Sequence, residues 1–424
     1  MKSLLRKLMP AVVVLMMLLP LSLGAEDEEV DPNLPGNPEC KICHGTGKVT
    51  YGKKAGKEKY ILYCSVKDSG KRCNVFIGGW EPCVACEDWP GMQAIFDEHE
   101  RIKKEYRSML GSYWNQVVKT GAPVPNVNGV VTKHGMLFTD TDHSSMHSLM
   151  IASEECYDAF TEHFSMGGEG SDWDNRHTQG KIRYILVQSE DVFRKLLNWY
   201  YDSPYISHDS KAMGRERFCS VGGAGFLGSR LTFKQQDTAH DERGFIKSYS
   251  QALLYSAFAT EALKRGFPDW IDEGLSNYYQ SHLRQIVSWY TVAYGMGNRR
   301  DEEYWGRFEN WKEGLAKANA IPVAKFDENQ GMWKGLIPLE TVIRMNITNM
   351  PNQAIAQSWA YVHYFMGDGQ TKKKAEEYRA IFKEFLKLVG SGVDQEQAFA
   401  QLYKADKLSS IETKFRFWLK SFAK

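Results

Sequence analysis

Apolar residues recur every three or four positions along most of the second half of this chain, and that rhythm predicts helices. One runs from about Glu242 to Arg265, where Gly266 and then Pro268 stop it. Others are predicted near 270–290, 301–317, 352–366, 370–389, 394–404 and 409–422. The first half is mixed. "GMLFTDTD" (135–142) and "KIRYILV" (181–187) read as strands, and 144–164 places Leu149, Ala152, Cys156, Phe160 and Phe164 on or near one helical face. A further helix opens at Ser189, with Glu190 and Asp191 in its first turn, where the helix dipole favours acids. "GGAGFLGSRLTFKQ" (222–235) reads as a glycine-rich turn and a strand. Upstream, Ile95, Phe96, His99, Ile102, Tyr106, Met109 and Leu110 keep helical spacing from Met92 to about Tyr113, which predicts a connector helix. "TGAPVPNVNG" (120–129) then breaks the chain.

Length turns this pattern into several units, since 424 residues exceed one ordinary core. The apolar share of 43% and charged share of 25% describe a soluble globular protein. Residues 1–25 stand apart: Lys2, Arg6 and Lys7, an apolar run, then Ser22, Gly24 and Ala25 have the layout of a secretory signal. The alternative is a retained membrane anchor, but the run is short and holds Pro10 and Pro20. The expectation is cleavage after Gly24 or Ala25, and an exported protein, periplasmic or extracellular. No later run is apolar enough to span a membrane. Losing that segment removes three basic residues and no acid, so a formal charge of +1 becomes −2, a balance that gives no reason to expect nucleic acid. Acidic "EDEEVD" (26–31) and "DPNLPGNPE" (31–39) form a solvated linker.

Cysteine placement adds chemistry. Of eight cysteines, Cys40, Cys43, Cys64, Cys73, Cys83 and Cys86 fall within 40–86, and only Cys156 and Cys219 lie elsewhere. Cys40/Cys43 and Cys83/Cys86 are two Cys-x-x-Cys knuckles, each offering two thiolates at a spacing that suits tetrahedral zinc. Gly45 and Gly47 let the backbone turn so that amides face the sulfurs. Cys64 and Cys73 either form a disulfide or replace one knuckle as ligands. Export also permits a module held by disulfides alone. "CKICH" is in addition a c-type haem attachment signature, with His44 as proximal and Met92 as distal iron ligand, although a lone haem leaves four cysteines unexplained. The unit Cys40, Cys43, Gly45, Gly47 resembles the C-x-x-C-x-G-x-G repeat of the DnaJ-type cysteine-rich zinc module; the second knuckle departs from it at "EDWPG" (87–91). Four thiolates leave no open position, so the zinc expected here is structural.

The remaining motif is "PDWIDEGLSNYY" (268–279). With "KIRYILVQSEDVFRKL", "GGAGFLGSRLTF", "IPLETVIRM" (337–345), "QAIAQSWAYVHYFM" and "IETKFRFWLKSF", it makes the chain from about His134 onward resemble exported bacterial proteins of the gluzincin, or peptidase MA-like, superfamily. In active members two histidines at i and i+4 hold zinc, a glutamate beside the first acts on the metal-bound water, and a glutamate on the next helix completes the site. The resemblance puts Glu273 at that third-ligand position and Gly274 at a close helix contact. The register it implies puts Ser250 and Leu254 at the histidine positions and Gln251 at the base. A one-residue shift gives Tyr249, Ser250 and Leu253, which is no better. Serine and leucine are not useful zinc ligands, and a glutamine cannot take a proton from water.

Substitutes are few. His143 and His147 have i, i+4 spacing but no acid between them; His240 and His282 lie near the cleft singly. His363 reads as a buried, hydrogen-bonded residue, and Tyr361 as a transition-state donor with nothing to assist. Without zinc, Glu273 is expected to cap backbone amides or pair with a nearby Lys or Arg. The expected fold class is therefore α+β, mostly helical. A signal (1–25) and linker (26–39) precede a Cys-rich zinc module (40–91), a connector (92–125), a mixed α/β subdomain (126–241) and a helical gluzincin-like subdomain (242–424). The expected function is non-catalytic binding of a peptide, protein or cell-envelope ligand. The alternatives are a zinc peptidase using Glu273 with His240 or His282, and a haem protein.

Overall fold

The computed structural model describes residues 35–50, 80–101, 128–139, 146–179, 181–187, 223–226, 231–235, 242–260, 262–263, 266–287, 304–327, 332–347, 349–403 and 408–423. The signal-like segment, Cys64, Cys73, Cys219, His143, His240 and the helix expected at Ser189 lie outside them. The protein is mostly helical, with a four-cysteine cluster near its N-terminus. It divides into two compact units.

The small unit is built from residues 35–49 and Pro82–Glu98. Strand β1 (Lys48–Thr50) pairs with β2 (Trp80–Pro82), each next to one knuckle. Helix α1 begins at residue 92 and is described to 101. Its first turns bury Met92 and Ile95, and Lys48 Nζ donates to Glu98 Oε2 at 2.9 Å. Besides its cysteines, the described apolar core of this unit is Val49, Met92 and Ile95. Among the described residues, hydrophobic burial contributes little to this unit.

The larger unit opens with a five-stranded sheet of order β3-β4-β5-β7-β6. Its strands are β3 (Asn128–Val131), β4 (Gly135–Thr139), β5 (Ile182–Val187), β6 (Gly223–Phe226) and β7 (Leu231–Gln235). The β4–β5 and β5–β7 pairs are parallel, and the outer pairs are antiparallel. Helices α2 (Met146–His163) and α3 (Asp172–Gln179) connect β4 to β5. Leu149, Ala152, Cys156, Phe160 and Phe164 are all buried, as their spacing predicts. The glycine-rich stretch departs from expectation. It is itself the edge strand β6, because pairing with β7 outweighs the poor strand propensity of glycine. Strand β3 and helix α3 were not expected; Pro and Asn dominate the sequence before β3, and polar residues fill α3.

Helices make up most of the remainder: α4 (Glu242–Phe258), α5 (Asp269–Arg284), α6 (Trp311–Asn319), α7 (Leu339–Arg344), α8 (Asn352–Phe365), α9 (Lys372–Gly390), α10 (Gln395–Tyr403) and α11 (Leu408–Phe422). A short hairpin, β8 (Lys325–Asp327) with β9 (Met332–Lys334), separates α6 from α7. Helix α4 ends at Phe258, short of Arg265. The last turn of α9 reaches in there: a Cβ on Gly390 would stand 2.0 Å from the Phe258 carbonyl oxygen. The Gly390 carbonyl accepts both the backbone N–H and the hydroxyl of Thr260 at 3.0 Å, so the chain leaves the helix to close α9.

The core gathers around α5, which packs against α4 on one side and α8 on the other. Trp270, Tyr278 and Tyr279 on α5, Tyr249 on α4, and Trp359 and Tyr361 on α8 are among its largest buried side chains. Gly274 permits the α5–α8 approach, because a Cβ there would lie 2.7 Å from the Ser358 carbonyl oxygen. Gly274→Val should lower the unfolding free energy by about 1–3 kcal/mol through overpacking. The readout is a shifted denaturant midpoint with unchanged slope; an unchanged midpoint contradicts the close contact.

Candidate metal centre

Each knuckle is shaped by its own backbone hydrogen bonds. His44 N–H donates to the Cys40 carbonyl at 2.9 Å and Thr46 N–H to the Cys43 carbonyl at 3.0 Å. The turn needs left-handed backbone at His44 (φ 48°), Gly45 (φ 83°) and Gly47 (φ 67°). Two glycines supply most of that cheaply. In the second knuckle Cys86 N–H donates to the Cys83 carbonyl, and Cys83 N–H reaches across to the Gly47 carbonyl at 2.8 Å. That last bond sets one knuckle against the other.

The four sulfurs converge. Cys40 Sγ lies 3.7 Å from Cys83 Sγ, Cys43 Sγ lies 3.4 Å from Cys86 Sγ, and all four fall within 4.8 Å of one another. No pair is bonded. A tetrahedral zinc with bonds of about 2.3 Å requires sulfur–sulfur edges of about 3.8 Å, so the donor set fits such an ion. Burial pushes the Cys83 thiol far above its usual range, and Cys43 and Cys40 add to it. Cys86 is pushed up to about 11, by burial first. Burial also acts on Cys40, but the amides of Cys43 and Ile42 and the neighbouring thiols bring it down to about 7. Four thiols packed this closely, three of them buried, are poorly placed without a cation, which would hold them as thiolates. Among the described residues this is the only group of three or more Cys, His, Asp or Glu whose ligand atoms lie close enough together to share one metal ion. His44 is exposed beside it, and Met92 is fully buried with its sulfur against Gly47.

The α4–α5 pair is built differently. Lys247, Ser250 and Leu254 share one face of α4 at i, i+3 and i+7. Ser250 is buried, its hydroxyl donating to the Lys247 carbonyl at 2.9 Å, and Leu254 is fully buried. The Lys247 ammonium donates to Glu273 Oε2 at 2.6 Å, with both side chains largely shielded from water. Beside them Asp272 is pushed up to about 8, by burial first and then by the charge of Glu273. Asp272 Oδ1 is buried without a hydrogen-bond partner.

The other sequence candidates are scattered. His147 falls in the first turn of α2. His282 packs against His163 and Tyr278, two turns beyond Glu273. His363 Nδ1 meets Asp368 Oδ2 at 2.5 Å. Tyr361 is buried, stacked on Phe415 with ring centroids 4.0 Å apart.

A buried charged network at the start of β4 escaped the sequence reading. His134 Nδ1 meets Glu154 Oε2 at 2.6 Å, and its Nε2 meets Asp174 Oδ1 at 2.9 Å. Lys181 Nζ donates to the Thr132 and Lys133 carbonyls. Burial raises Asp174, but the Gly170 amide, His134 and Lys133 bring it down to about 2; burial lowers Lys181 to about 8. The network ties β4, α2 and α3 together, and every partner is internal. Only the polar character of "SDWDNRHTQ" hinted at it.

No family, no curated protein and no solved structure matches this chain. The Lys247–Glu273 pair is directly testable. Lys247→Met alone should cost about 3–5 kcal/mol, because it strands a buried carboxylate. Lys247→Met combined with Glu273→Leu should recover most of that loss in a double-mutant cycle by denaturant unfolding.

Proposed function

We propose that this is an exported, non-catalytic binding protein. Its four-cysteine module holds one structural zinc ion, and its helical body is a degenerate gluzincin scaffold that binds a peptide, a protein or a cell-envelope ligand. The observation that carries this reading is the Lys247–Glu273 contact at 2.6 Å. A zinc peptidase needs its helix-borne glutamate free for the metal, and needs a base on the facing helix. Here a lysine ammonium supplies the positive charge that Glu273 requires. The facing positions carry Ser250, Gln251 and Leu254, which neither bind zinc nor accept a proton from water.

The sulfur geometry supports the zinc assignment. Cys40, Cys43, Cys83 and Cys86 would hold the ion, which would cross-link two chain segments that share little apolar core. Four thiolates close the coordination shell, so the site supplies stability and shape rather than Lewis-acid chemistry.

Metal analysis of the purified full chain tests both halves of the proposal. The expected result is one zinc per chain, falling to none in the Cys83→Ser/Cys86→Ser variant. Zinc retained at one per chain in that variant, or two per chain in the unsubstituted protein, places metal elsewhere and overturns the reading.

A further inference from the structure

Three histidines outside the cysteine module converge on one tyrosine. His163 ends α2, His282 lies in the last turn of α5, and His363 lies near the end of α8. Their rings stand 5.8, 5.6 and 4.7 Å from the ring of Tyr278, and His163 and His282 are 4.9 Å apart. His163 is buried, whereas His282 forms the exposed rim of the cluster. The charged groups facing it are few. Asp368 holds His363 Nδ1, and Glu162 precedes His163 on α2. Arg379 of α9 and Lys312 of α6 bring positive charge. Tyr279 meets His163 Nδ1 at 3.4 Å. His363 Nε2 and the Tyr278 hydroxyl are both buried without a partner, so the cluster is not optimised for stability.

We propose that this cluster is an acid-sensitive latch, whose protonation loosens the junction of α2, α5 and α8. Neutral imidazoles pack there as aromatic rings. Among the described residues, three imidazolium ions would add to Arg379 and Lys312 against Asp368 and Glu162, in a largely dehydrated space. His282, at the rim, gives protons their entry, and its charge then opposes that of His163.

The direction of the effect follows from linkage. Burial pushes His163 down to about 3, and the charges of Arg379 and His282 add to it. His282 and His363 are also lowered, burial outweighing the opposing pull of Asp368. In the unfolded chain each histidine titrates near 6.5. Below that pH the unfolded state takes up protons that the folded state refuses, so stability falls as pH falls. The share belonging to His163 is fully lost near pH 3. These residues are not shared with the cysteine module or the Lys247–Glu273 pair, so the latch stands or falls apart from the proposed function.

Thermal unfolding of the full chain at pH 7.5 and pH 5.0 tests it. The midpoint should fall by about 5 °C over that interval, as expected for a chain of this size. His282→Gln, His163→Asn and the pair together should reduce that fall, the pair by more than half. An unchanged midpoint in the unsubstituted protein, or an equal fall in the paired variant, overturns the proposal. Should His163→Asn not fold, the imidazole C–H resonances of the unsubstituted protein decide. A His163 ring that stays neutral down to pH 5 supports the latch, and one that titrates near 6.5 sinks it.

Discussion

Helix α5 is enclosed on nearly every side, and that enclosure constrains everything around it. From Trp270 to Gln280 only Asp272 is not buried by residue exposure, although its Oδ1 also lacks contact with water. A helix in that position cannot send its polar side chains to solvent, so each one must find an internal partner or remain costly. Glu273 finds Lys247 on α4. Trp270 Nε1 donates to Gln395 at 2.9 Å, and Ser281 Oγ accepts Trp359 Nε1 at the same distance. Asn277 finds nothing, since both of its amide atoms are buried without a hydrogen bond. The tight α5–α8 contact at Gly274 and the histidine cluster around Tyr278 follow from the same enclosure.

The two units solve the stability problem by different physics. The larger unit has an extensive aromatic core, in which Phe365, Phe382, Phe385 and Phe399 extend the packing from α5 toward α9 and α10. The small unit has three described core side chains besides its cysteines, and its organising feature is the convergence of four sulfurs. Hydrophobic burial grows with size, whereas a metal cross-link, which the four converging sulfurs could accept, would not depend on it.

Much of the architecture was legible from spacing alone. Helices α8 to α11 fall within a residue or two of their expected ends, because each combines a strong apolar period with a clear breaker. The two Cys-x-x-Cys knuckles were equally plain. Elements that depend on distant partners were not. The "GAGF" strand (223–226) exists only because β7 pairs with it, and the early end of α4 exists only because Gly390 arrives from more than a hundred residues away. The His134–Glu154–Asp174 network was hidden for the same reason, since its members come from a turn and two helices.

The sequence by itself determined most helices of the second half, which cysteines can act as a set, and that Ser250, Gln251 and Leu254 are residue types that do not serve a zinc ion. Those properties belong to residue type and to short spacing, where local geometry is fixed. Only the tertiary structure decided which group partners Glu273. Lys247 is one of many lysines in the chain, and nothing in its neighbourhood marks it. It becomes the counter-charge because α4 and α5 pack face to face, where a buried carboxylate must be neutralised by whatever cation the packing brings within reach.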